Sequence, residues 1–201
     1  MSNARPPLAL APALQHAQLL QRAVADGCEA AGERCRTLLH AGVRCGDARC
    51  PDGAAAAFLL RDWPSAQLRS LRALMRAYID FGYLRLDAPL QLPAHAACHG
   101  LRPLPAALLL RHAEGAAVLL EAGALERPHS AEYLLEAVAR IGLGDVREAG
   151  AGAPDAYALF IRLAGGLWPQ GEGVRRRLGR LAEGSRLVVA RGSRAVSVSG
   201  R

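Results

Sequence analysis

Apolar residues recur along this chain at the three- and four-residue steps of a helix, and the runs close on glycine. Leu71, Leu74, Met75 and Tyr78 precede Gly82, and Val118 and Leu119 precede Gly123. The closing phrases are alike: LLHAG ends at Gly42, YIDFG at Gly82, LLEAG at Gly123 and IRLAG at Gly165. These glycines fall 40, 41 and 42 residues apart. Glycine just past an apolar stripe is the expected helix stop, because it enters the left-handed cap conformation at little cost. Four such stops at near-constant spacing predict a stack of related units.

Each stop has room upstream for a second helix. HAQLLQRAVADG precedes ERCRTLLHAG in the first unit, and WPSAQLR precedes LRALMRAYIDFG in the second. In the third, PLPAALLLRH supplies it, with Pro103 and Pro105 at a helix start where a missing N–H is harmless. The last unit offers SAEYLLEAVARIGLG and APDAYALFIRLAGG, joined by a Gly/Ala linker from Gly144 to Pro154. Roughly eight to ten helices in pairs follow, with few or no strands. VRRRLGRL predicts a last amphipathic helix, with Val174, Leu178 and Leu181 on one side. The end, RLVVARGSRAVSVSG, alternates weakly as a strand would, and a flexible tail is the expectation there.

The stretch RPLPAALLLRHAEGAAVLLEAGA, from Arg102 to Ala124, resembles the core of an ankyrin repeat. Pro103 and Leu104 fall on the family's Pro-Leu, Ala107 on its small helix residue, and Leu119, Leu120, Gly123 and Ala124 on its closing Leu-Leu…Gly-Ala. AHAACHG, from Ala94 to Gly100, is similar to the family's helix end, and AVARIGLGD resembles it again. The chain departs from the pattern in period, which is 33 in the family, in Pro105 at the histidine of the turn, and in Arg111 at the inter-helix glycine. The resemblance implies an all-α solenoid of stacked hairpins; an irregular α-helical bundle is the alternative. The division expected is an N-terminal extension over 1–15, a repeat domain over 16–166 with units ending near Gly42, Gly82, Gly123 and Gly165, and a basic helix and tail over 167–201.

Such an array favours binding over catalysis, because loops line up along one edge while no deep, water-excluding pocket forms. The resemblance implies a non-catalytic protein–protein interaction module that recognises its partner through loop tips and inner-helix faces. Here these include Arg85, Asp87, His99, Arg102 and Glu126. An adaptor or substrate receptor in a ubiquitin-type assembly, or a host-directed effector, is the alternative within that class.

Charge adds a third reading. All 25 basic residues are arginine, and the net charge is +7. Residues 174–201 hold eight arginines and one acid, Glu183, while the rest of the chain is neutral. Arg175, Arg176, Arg177 and Arg180 therefore form a basic segment able to meet an acidic partner or nucleic acid. No aromatic residue interleaves them, which disfavours single-stranded binding. Inflated Ala, Arg, Gly, Leu and Pro point to gene composition as the reason for lacking lysine; escape from side-chain ubiquitination is the second reading.

Catalytic and metal chemistry find little support. Cys35, His40, Cys45 and Cys50 stand five apart, near Cys28, but lack the two knuckles of a zinc site. His95 and His99 share a helical face without the glutamate of H-E-x-x-H, since Ala96 holds its place. There is no nucleophile elbow or phosphate loop, and Glu132 and Glu136 lie one turn apart as solvent-facing residues do. No catalytic residue, cofactor or metal ligand is expected. No apolar run reaches a membrane span, and LALAPAL is broken by Pro12. With an odd five cysteines, the expected location is the cytoplasm, or alternatively the nucleus.

Overall fold

The computed structural model of the chain describes residues 63–92, 95–142 and 155–196 (backbone alone for 186–196), with Thr37, Phe58 and Leu59. Among these residues there are six bounded α-helices and no strand: α1 (Leu68–Asp80), α2 (Pro103–Leu109), α3 (Ala113–Glu121), α4 (Ser130–Ile141), α5 (Ala156–Leu167) and α6 (Glu172–Val196). The chain divides into two compact units, Met1–Leu84 and Arg85–Arg201. Gly42, His40, Cys28, Cys35, Cys45, Cys50, the 1–15 extension and the whole expected linker, 144–154, lie outside the described residues.

In the first unit, α1 buries the stripe read from the sequence. Leu71, Leu74, Met75 and Tyr78 are all 1% exposed or less. Tyr78 makes a T-shaped contact with Phe58, ring centroids 5.0 Å apart, and meets Tyr83 at 6.2 Å. The helix stops where glycine predicts. Gly82 has φ +74°, its N–H bonds Ile79 O, and the Tyr83 N–H reaches back to Tyr78 O at 2.9 Å. That pair of bonds satisfies carbonyls which the helix end would otherwise leave open.

The second unit begins its helices with a hairpin, α2–α3. Pro103 occupies the first position of α2, whose residues from Pro103 to Leu108 are all buried. At the α2 end Arg111 takes φ 56°, while its N–H bonds Leu108 O and the His112 N–H bonds Ala107 O. Arginine thus adopts the conformation that glycine holds in the pattern the chain resembles. A side chain there is strained, so Arg111→Gly should raise stability by about 0.5–1 kcal/mol, less than the full strain because glycine also loosens the unfolded chain. Urea unfolding checks this; a destabilised variant would mean that the exposed arginine makes compensating contacts. His112 then caps α3, its Nδ1 accepting the Gly115 N–H at 2.9 Å. Gly123, φ +83°, closes α3.

α2 lies against α3, α4 and α5, and α6 packs on both α3 and α5. Small residues let these helices approach closely. Ala106, Ala107, Ala116, Ala117, Ala137, Ala164 and Ala182 are 2% exposed or less, which explains a core with few aromatic residues. Phe160 on α5 is the largest wholly buried side chain of this unit. Ser185 joins α6 to α3 by donating to Leu120 O at 3.2 Å.

Three expectations are corrected. Gly165 does not stop its helix: α5 continues through it to Leu167, which is buried, and ends at Trp168, whose backbone is turned from helix before Pro169. Residues 186–196 form neither tail nor strand, but the second half of the 25-residue α6. A nucleated helix extends cheaply through Arg, Leu and Ala, and this propagation outweighs the weak alternation. Finally, WPSAQLR is not a separate helix paired with LRALMRAYIDFG: Ser65–Gln67 forms a single 3-10 turn after Pro64 and runs directly into α1 at Leu68.

Candidate partner-binding surface

Two arginines hold the loops that carry the candidate residues. Arg102 stands immediately before α2 and is 9% exposed. Its guanidinium carbon stands over the Tyr133 ring, 3.3 Å from the centroid, and its Nη1 donates to Pro128 O at 3.0 Å. A desolvated cation on an aromatic face is strongly attracted to the ring quadrupole. Its Nε has no partner, which subtracts from that gain. Arg140, seven residues after Tyr133 on α4, donates Nη1 to His99 O at 3.0 Å and to Ala97 O at 3.3 Å. Glu136 holds the same guanidinium at 2.6 Å. Residues 97–102 are therefore clamped along α4 at two points, two helical turns apart.

The turn they clamp is also tied internally. Gly100 N–H bonds Leu90 O, and Leu90 N–H bonds Leu101 O. His99 Nδ1 accepts the Leu92 N–H at 3.1 Å, which leaves the ring proton on Nε2 at the surface. Cys98 turns inward at 1% exposure, and burial pushes its thiol up, with only partial relief from the Arg140 charge. It is an unreactive core sulfur. His95 and His99 are exposed while Cys98 is not, so the cluster seen in the sequence splits between surface and core. Among the described residues no group of three His, Cys, Asp or Glu side chains is placed to hold a metal ion.

The five residues read as partner contacts occupy different situations. Arg85 and Asp87 are exposed and paired at 3.5 Å. Burial raises the Asp87 carboxyl, but its backbone hydrogen bond, Arg85 and the charge of Arg102 outweigh this and hold it below the usual range. Glu126 is exposed beyond α3, its carboxylate occupying the space that a Gly123 side chain would need. His99 is exposed as well. Arg102 alone is inside, held by Pro128 and Tyr133. Tyr133 and Arg140 escaped the sequence reading, although their seven-residue spacing on one helix placed them on one face.

The four basic residues of α6 also separate. Arg177 grips both carboxylate oxygens of Glu114 in the first turn of α3, with Nη2 to Oε2 at 3.0 Å. That hydrogen bond, more than the reduced hydration opposing it, raises the arginine further above its ordinary range. Arg176 pairs with Glu172 at 2.7 Å on the surface, Arg175 is half-buried, and Arg180 is exposed. Glu132 and Glu136 are exposed, as their spacing implied, and are paired with His129 and Arg140.

Among the described residues no helix is long and apolar enough to cross a membrane. No family model matches the chain, and neither a curated protein nor a solved structure is similar to it.

Proposed function

We propose that this chain is a non-catalytic module that binds a protein partner along the edge formed by Arg85, Asp87, His99 and Glu126. One observation carries the reading: Arg102 and Arg140 clamp residues 97–102 and the 127–129 loop to α4, which fixes the backbone on which the exposed His99 stands. Preorganised loops lose little freedom on association, which favours affinity. Ankyrin-like pairing of α2 with α3 and of α4 with α5 is part of the proposal. Its support is a second glycine series: Gly100 and Gly142 are left-handed like Gly82 and Gly123, at nearly the same interval. The packing of α6 back onto α3 is additional to nearest-neighbour stacking.

The test compares affinity capture by the intact chain and by a variant carrying Arg85→Glu and Glu126→Arg. Both positions are exposed, so the variant should keep its helical spectrum. It is expected to lose, by tenfold or more, a protein that the parent retains. Equal recovery from both chains would remove this edge as the binding surface.

A further inference from the structure

We propose that the outer line of α6 binds the phosphate backbone of a nucleic-acid duplex, independently of base sequence. α6 has a buried side and an opposite one. Leu178, Ala182 and Ser185 are covered by the second unit, while Arg176 and Arg180 are exposed. At 100° per residue, positions 176, 180, 191 and 194 fall within about 60° of one another around the axis and span about 27 Å along it. All four are arginine, and one acid, the exposed Glu183, stands about 20° to the side of Arg176, so the line keeps a surplus of positive charge. Arg180 makes no ion pair with any described residue, and Arg176 is held only by the exposed Glu172.

Two further features select the ligand. Gly184 continues the four-residue step from Arg176 and Arg180; it is exposed, and a side chain there would meet nothing within 4 Å. Glycine weakens a helix interior, and no neighbour among the described residues requires it at this place. It leaves a gap in the ridge where a partner's backbone can come close. The line also carries a single apolar position, Leu187, whereas a protein interface needs an apolar centre. Residues 172–201 include no Phe, Trp or Tyr, so unpaired bases have nothing to stack on. Regular arginines, a close-approach gap and no stacking group match phosphates on a duplex.

The experiment titrates the full chain into labelled 30-base-pair DNA and RNA duplexes of two unrelated sequences, read by fluorescence anisotropy from 50 to 200 mM salt. Binding should be equal for the two sequences and stronger than for single strands. Its logarithm should fall against log salt with a slope of about −3 to −4, as four phosphate contacts require. Arg176→Gln with Arg180→Gln, exposed changes that preserve helix propensity, should lower affinity at least tenfold and reduce the slope by about two. Gly184→Ala should weaken binding several-fold while the melting temperature holds or rises by about 2–4 °C, the opposite of a damaged fold. Absence of duplex binding at 50 mM salt, unchanged affinity in either variant, or equal capture of polyglutamate would each overturn the assignment.

Discussion

Replacing Arg102 with alanine should destabilise the second unit by about 2–4 kcal/mol. The guanidinium on Tyr133 contributes about 2 kcal/mol in a desolvated setting. Its charge-assisted bond to Pro128 O contributes about 1.5–3 kcal/mol, and the unpartnered Nε offsets part of the sum. Arg102→Lys should recover less than half, because an ammonium keeps the charge but loses the plane that stacks on the ring. Urea unfolding of both variants is the measurement. A loss below about 0.5 kcal/mol would show that desolvating the guanidinium cancels its contacts. The same variant should free the 127–129 loop, so a binding defect in it would report lost bracing. Arg85 and Glu126 are for that reason the better probes of contact.

Phe160→Ala should be more damaging still, by about 3–5 kcal/mol. Phe160 is wholly buried on α5, the helix that touches α2, α4 and α6. Truncation removes apolar area and leaves a cavity that the surrounding structure closes only in part. Phe160→Leu keeps most of the volume and should cost less than about 1.5 kcal/mol. Because α6 rides partly on α5, helical signal from both should fall together in the alanine variant. A loss under 1 kcal/mol would contradict close packing of α5 in the core.

Much of the local structure was legible before any coordinates. The stripe Leu71, Leu74, Met75 and Tyr78 became the buried side of α1, and Pro103 and Gly123 mark a real start and stop. Arg111 was legible as an anomaly, and it proves to hold a glycine's backbone conformation. Gly165 misled because a glycine permits a left-handed stop without imposing one. With Leu167 able to bury itself, the helix ran on until Pro169. Arg85, Asp87, His99 and Glu126 were legible as exposed residues, since polar loop residues stand out in a chain this apolar. Arg102 looked like one of them. Nothing local distinguishes an arginine that meets a partner from one that meets a tyrosine in a later helix.

The sequence by itself determined that the described chain is helical, where several of its helices start or stop, and the apolar stripe of α1. These are consequences of neighbours within one or two turns, where periodicity, proline and glycine act. Only the tertiary structure decided that Arg102 reaches Pro128, that Arg140 reaches His99 and that Arg177 grips Glu114, across separations of 26, 41 and 63 residues. Such pairs depend on which apolar sides meet, and a stripe of Leu and Ala fits many partners nearly equally. Packing selects among them, and the arginines then find their partners where the packed helices have placed them.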